Sequence, residues 1–225
     1  MTRTLRAALF ALALVAGAAQ AAAPTPIVGV PEPGPALPIA VPAITSMTLD
    51  NGLRLVLAAR PGLPLVTAQL RLLAGREADP AGKTGLAAMT TALLTRGARR
   101  GDQDADAATL AREAEALGGS LSAATGWRSS GVGMTVTTPK LPEALALLAD
   151  VVRQPLLQAA ELERERARAL DALRVALDSP GSVAALAAAR AWWGDSVYGA
   201  TATAATLARL TAADVQAFHR AQWRP

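Results

Sequence analysis

Two arginines at positions 3 and 6 precede an unbroken apolar run from Ala7 to Ala16, which Ala19-Gln20-Ala21 closes with small residues around a polar one. That order marks residues 1–21 as a secretory signal peptide, and a run of about ten apolar residues is too short to span a bilayer. Alternation begins at residue 44. ITSMTL (44–49) and LRLVLA (53–58) place apolar side chains on every second position, and Asp50-Asn51-Gly52 between them predicts a hairpin in which Asn51 and Gly52 both tolerate positive φ. VTAQLRLLAG (66–75) is a third extended run, and SLSAATGWRSSGVGMTVTT (120–138) supplies two further strands around a glycine-bearing turn. Helical spacing predicts helices over 85–96 and 104–117.

The second half of the chain is helical in its spacing. Pro142 suits the first turn of a helix that carries Leu145, Leu148, Val151 and Val152 on one face. A longer helix over 159–177 has the stripe Leu162, Ala169, Leu170, Leu173 and Leu177, and Asp178-Ser179-Pro180 ends it. The last helix opens with the capping-box spacing of Thr211 and Asp214, ahead of Val215 and Phe218. Antiparallel strands first and helices later imply an α+β fold, an antiparallel sheet with helices packed on one face.

Composition adds boundaries. Seven prolines between Pro24 and Pro42 make residues 22–43 an extended linker, and 44–225 is long enough for one domain with a sizeable core. There is no cysteine, hence no disulfide frame and no lipid attachment site. Without Arg3 and Arg6 the 22 basic residues become 20 against 18 acidic ones, a net charge of +2 that gives no footprint for nucleic acid. Charges interrupt every later apolar run, so the mature chain is expected to be periplasmic or secreted, with no membrane insertion after cleavage of the signal. ERERARA (163–169) reads as a solvated helix face with pairs such as Glu165 and Arg168.

Candidate chemistry is sparse. Asp102, Asp104, Asp106 and Glu113 match a calcium-loop template except at its sixth position, where Ala107 replaces the glycine of the turn. The favoured reading is that Asp102 or Asp104 caps the helix that follows. His219, alone of its kind, is expected to be a packed or surface residue. Of the adjacent Trp192 and Trp193, about 100° apart on a helix, one is expected to pack inward and the other to cover a groove or partner. Trp127 and Trp223 are expected to anchor the core or an interface. TGLAAMTTALLTRG (84–97) is an apolar helix without a single metal-binding side chain.

Six phrases carry a resemblance: LDNGLRLVL (49–57), LLAGREADPAGKTGLA (72–87), EALGGSLSAATG (115–126), ERARALDALRVALDSP (165–180), VYG (197–199) and LTAADVQAFHRAQWRP (210–225). In this order and spacing they resemble the N-terminal domain of the insulinase/pitrilysin-type zinc metallopeptidases. Active members of that family carry H-x-x-E-H on the helix after the Gly-Leu-Ala phrase. Two histidines on one helix face hold zinc, and the glutamate activates its water. The resemblance places these three positions on Ala88, Thr91 and Ala92, and the third ligand, a glutamate, on Ala172 beside Asp171. A methyl group has no lone pair, and a threonine hydroxyl is too weak a base for the task.

The resemblance thus implies a non-catalytic member with no metal or cofactor of its own, zinc being expected only in a partner subunit. Its partner would be a zinc-bearing subunit or second domain of the family, whose substrate chamber it helps to shape. The alternatives are a structural or assembly subunit, like the family's respiratory core proteins, and an active metalloendopeptidase if the motif alignment is shifted. The segment Ser120, Leu121, Ser122, Ala123 and Ala124 corresponds to the edge strand that pairs with extended peptides in active members, where asparagine usually stands at the position of Ser122. Relatives continue into a second domain, so the chain alone is expected to be poorly stable or self-associating.

Overall fold

The structure, a computed structural model, describes Gly34 and residues 41–60 and 62–224. The proposed signal peptide and nearly all of the proline-rich linker lie outside the described residues. The chain parts into two units after Pro42, and the second, Ala43–Pro225, contains the elements that follow.

β1 (Ile44–Thr48) and β2 (Arg54–Ala58) form the expected antiparallel hairpin. Only Gly52 takes a positive φ, 86°, while Asn51 does not. The loop is a three-residue connection closed by Gly52 N–H on the Leu49 carbonyl, and Asn51 Oδ1 accepts from Leu53 N–H. This is the turn-plus-left-handed-glycine solution rather than a two-residue turn with both residues at positive φ.

β3 (Leu65–Leu72), β6 (Ser122–Thr125) and β7 (Ser130–Thr137) form a three-stranded antiparallel sheet in the order β3-β7-β6. Alternation sorts its faces. Val66, Ala68, Leu70 and Leu72 on β3 and Val132, Met134 and Val136 on β7 point inward; Thr67, Gln69, Arg71 and Thr135 point outward. α1 (Leu86–Leu94) packs on β6 and β7, and α3 (Leu141–Arg153) packs on β7 and β3. The helices cover the inner face, which makes the fold α+β as expected.

Between α1 and α2 (Ala107–Ala116) lies a hairpin that the helical reading of 104–117 overlooked, β4 (Gly97–Arg100) with β5 (Gln103–Asp106). Its two-residue Gly101-Asp102 turn uses a left-handed glycine at φ 59°. The helix therefore starts three residues later, and its cap is Asp106, whose Oδ1 accepts from Thr109 N–H at 2.8 Å. Asp104 instead pairs with Arg99 at 2.5 Å, and Glu113 with Arg100 at 2.9 Å, so these two calcium-template carboxylates are spent on separate ion pairs.

α4 (Ala159–Leu177) has the expected bounds and α5 (Pro180–Trp193) follows directly, capped by Ser179. α6 (Ala204–Ala208) precedes α7 (Ala212–Gln222), which begins with the capping box of Thr211 and Asp214. The core gathers Leu86, Leu93 and Leu94 of α1, Leu147 and Val151 of α3, Leu162 of α4, and Val215 and Phe218 of α7. Burying one such side chain contributes about 1.5–3 kcal/mol. On α3 the buried face is centred on Ala144, Leu147, Leu148 and Val151, while Leu145 is exposed. On α4 the expected stripe holds from Leu162, which is buried, through Ala169 and Leu170, which are half-buried against the core, to the half-buried Leu173, and it fails at Leu177, which is exposed.

Thr90 is fully buried in α1, and its Oγ1 has no hydrogen-bond partner among the described residues. An unmet buried hydroxyl costs about 1–3 kcal/mol, so the near-isosteric Thr90→Val should stabilise the fold by about 1 kcal/mol. An unchanged or lower urea midpoint would show that the hydroxyl is satisfied.

Candidate functional site

The site positions sit on α1, whose start is fixed from a distance. Gly85, at φ 105°, precedes the helix without a capping side chain of its own. Asp79 supplies the cap from the preceding loop: its two oxygens accept from Gly85 N–H and Ala87 N–H, each at 2.7 Å. Burial pushes the Asp79 carboxyl above the ordinary aspartate range, against the opposing pull of those two amides. In the same loop Lys83 pairs with Asp214, holding that carboxyl below its ordinary range and tying the entry of α1 to the first turn of α7.

On α1, Ala88 and Ala92 lie half-buried on one stripe, four residues apart. Thr91 faces the core at 1 % exposure, and its hydroxyl donates to the Ala87 carbonyl at 2.8 Å. Ala172 is exposed on α4, which packs against α1. It lies seven residues beyond Glu165, hence within about 20° of the same direction on the helix. Asp171 faces solvent and pairs with Arg174 at 2.8 Å. These residues do not fit a zinc ion: three methyl groups and a hydroxyl already donated to the backbone offer no ligand. Among the described residues no group of three or more histidine, cysteine, aspartate or glutamate side chains could hold a metal ion.

Glu165 corrects the reading of 163–169 as a solvated face. It pairs with Arg168 as expected, yet it is only 8 % exposed and also accepts from Arg96, just past the end of α1, at 2.5 Å. The alternating charges of this run gave no sign of an inward-facing member, because its partner lies 69 residues away in sequence.

Of the segment 120–124, Ser122, Ala123 and Ala124 are in β6, which continues to Thr125; Ser120 and Leu121 precede it. Among the described residues β6 is an edge strand, paired with β7 on one side alone. Its outward residues Ser122 and Ala124 lie beside Gly133 and Gly131 of β7, and beyond those beside Gln69 and Arg71 of β3. A shallow cavity of about 150 Å³ lies over this glycine floor. A larger one of about 420 Å³ beside β5 is lined by Arg100, Glu113, Asp150 and Asp104, all engaged in ion pairs.

Neither Trp192 nor Trp193 packs inward; they are 80 % and 51 % exposed, because α5 buries no residue and offers alanines on every side. Trp193 instead stacks on Tyr198 at 5.5 Å, and Tyr198 on Trp127 at 5.6 Å, while the Arg76 guanidinium lies over the Trp127 ring. Trp223 is buried, as an anchor should be.

His219 is half-buried on α7 and donates Nε2–H to the Val152 carbonyl at 2.8 Å. Burial lowers its pKa; the hydrogen bond opposes this and the Arg220 charge adds to it. The unfolded chain then binds the proton more readily, so stability is full above the ordinary histidine pKa of about 6.5 and declines as pH falls through it toward the depressed folded value. His219→Gln should flatten that leg of a urea-midpoint profile between pH 8 and 5.5; an identical slope would assign the decline to another group.

The family model for insulinase, peptidase family M16, matches residues 54–201. The fold is similar to the inactive domain of an M16 peptidase from Pseudomonas fluorescens (TM-score 0.72, 23% identity, 79% of this chain and 43% of that one). It is similar to pitrilysin (TM-score 0.68, 24% identity, 81% and 20%). It is also similar to the first half of the periplasmic protease PqqL from Escherichia coli (TM-score 0.71, 16% identity, 81% and 40%). The chain thus spans less than half the length of each of these structures. No curated protein is significantly similar to it.

Proposed function

Because the chain belongs to the insulinase family of peptidases, peptidase family M16, we propose that it is a non-catalytic, exported member that shapes the substrate chamber of a zinc-bearing partner. The observation that carries this reading is the alanine face of α1 and α4. Ala88, Ala92 and Ala172 present no lone pair where the resemblance puts the family's ligands, and Thr91 is turned into the core with its hydroxyl committed to Ala87. Export is supported by the charged, apolar and small-residue order of residues 1–21, and by a structural neighbour described as a periplasmic protease. Among the described residues no helix is long and apolar enough to cross a membrane.

The partner is a second family domain bearing its own zinc site, whether in the same polypeptide or another, and the edge of β6 takes extended peptide by main-chain hydrogen bonding, which needs no metal. The test is purification from the native envelope under mild conditions. The chain is expected to come down with an H-x-x-E-H protein and, once separated, to contain well under one zinc per molecule and to cleave no unstructured peptide. One zinc per separated chain with chelator-sensitive cleavage would sink the reading; isolation of a stable assembly without any peptidase would favour a purely structural subunit.

A further inference from the structure

The chain is poor in aromatic residues: two phenylalanines, one tyrosine and four tryptophans in 225 residues. Three of these seven, the near neighbours Trp193 and Tyr198 and the distant Trp127, meet at one place on the surface. Trp127, in the β6–β7 turn, and Trp193, at the end of α5, both pack on Tyr198, with their planes tilted to its ring by 48° and 45°. The group is built rather than accidental. The turn that carries Trp127 is held by Arg76 N–H on the Gly126 carbonyl and Glu77 N–H on the Trp127 carbonyl, both 3.0 Å, and the Tyr198 hydroxyl lies 3.4 Å from Glu77. Yet Trp127 stays 41 % exposed and Trp193 51 %, so both residues remain partly open to solvent.

Its position is what gives it a use. Trp127 lies two residues past Thr125, the last residue of β6, so the cluster stands at the turn end of that edge strand. Basic side chains are in excess there: Arg71, opposite Gly131 at this end of the sheet, Arg76 and Arg128 stand with the carboxylates of Glu77, 3.8 Å from Arg128, and of Asp79, which is taken up by the Gly85 and Ala87 amides. We propose that the Trp127–Tyr198–Trp193 cluster is a side-chain subsite at the end of the β6 edge, selecting extended peptides that carry an aromatic residue next to an acidic one. The proposal rests on the edge-pairing reading above and names its preferred substrate class. A fourth ring extends the tilted stack, a contact worth more than its area alone, and the neighbouring carboxylate meets the arginines.

The probes are synthetic ten-residue peptides with a common Thr-Val strand that ends in Glu-Phe, Glu-Ala or Lys-Phe, made also with the dipeptide at the N-terminus. Binding to the purified chain is followed by fluorescence polarisation. Glu-Phe is expected to bind about 5–10-fold more tightly than Glu-Ala. It should also bind about 5-fold more tightly than Lys-Phe at low salt, with that second margin shrinking at high salt. Trp127→Ala and, independently, Trp193→Leu should erase the ring preference while leaving Glu-Ala binding in place. Equal binding of Glu-Phe and Glu-Ala, or a ring preference that survives both variants, overturns the subsite and leaves the edge reading standing. If Glu-Phe peptides N-methylated at alternate amides, in either phase, bind as well as the parent, the edge reading falls and takes the strand-end subsite with it. No binding by any peptide overturns both.

Discussion

Gly75→Ala should lower the stability of the domain by about 3 kcal/mol, a drop in melting temperature of roughly 6–12 °C for a domain of this size. A Cβ at this position would sit 2.4 Å from the Trp127 carbonyl oxygen, 2.5 Å from that of Gly126 and 2.6 Å from Ser129 N. All three are backbone atoms of the β6–β7 turn, so no side chain can swing aside. The loop after β3 must lift away, which breaks the amide bonds from Arg76 and Glu77 and slackens the segment that delivers Asp79 to the start of α1. Gly181→Ala is the control. Its Cβ meets nothing within 4 Å, and it lies in the first turn of α5, where alanine is the better helix former by up to about 1 kcal/mol. Equal melting temperatures for Gly75→Ala and the parent would mean that the loop does not pack against the turn.

Ala88→His, Ala92→His and Ala172→Glu together should raise zinc affinity by at least about two orders of magnitude over the parent chain. The stripe bearing Ala88 and Ala92 is half-buried and Ala172 is exposed, so longer side chains can be added there without displacing the core. Thr91→Glu is a different matter. It replaces a side chain that is 1 % exposed, so the carboxylate either enters the core or forces the helix to turn. The triple variant should therefore match the quadruple one in zinc affinity, measured by competition with a chromophoric chelator, and exceed it in stability. No gain in affinity for either variant would mean that α4 does not bring position 172 to the same point as 88 and 92. Peptidase activity is not expected to return, since the groups that orient metal ligands are not restored with them.

What the sequence revealed depended on the range of the interaction that decided each feature. The β1–β2 hairpin, the bounds of α4 and the capping box of α7 are settled within a few residues and were legible. The β4–β5 hairpin was not, although Gly101-Asp102 is a two-residue turn signal, because its acidic residues also resemble the first turn of a helix. The choice is made by distant chain: Ala98 bridges to Pro155, Arg99 N–H reaches the Gln154 carbonyl and Leu156 N–H reaches that of Gly97. Glu165 was misplaced for the same reason, its partner Arg96 being invisible in a local charge pattern. Trp192 and Trp193 were misjudged because an alanine-rich helix has no side that burial prefers. The candidate site divides likewise. The resemblance assigns positions 88, 91, 92 and 172 from local phrases, whereas nothing local announces that the side chains of residues 76 and 127 meet those of 193 and 198.

The alanine face of α1 also has a bearing on history. Alanine is the strongest helix former, and histidine in its place lowers helix propensity by several tenths of a kcal/mol at each of positions 88 and 92. Neither alanine leaves a hole, since both stand on a stripe open to one side. On the proposed reading, a lineage that hands its chemistry to a partner gains stability by shedding metal ligands, and return would require several changes that each cost stability before any metal is bound. The loss behaves as a ratchet.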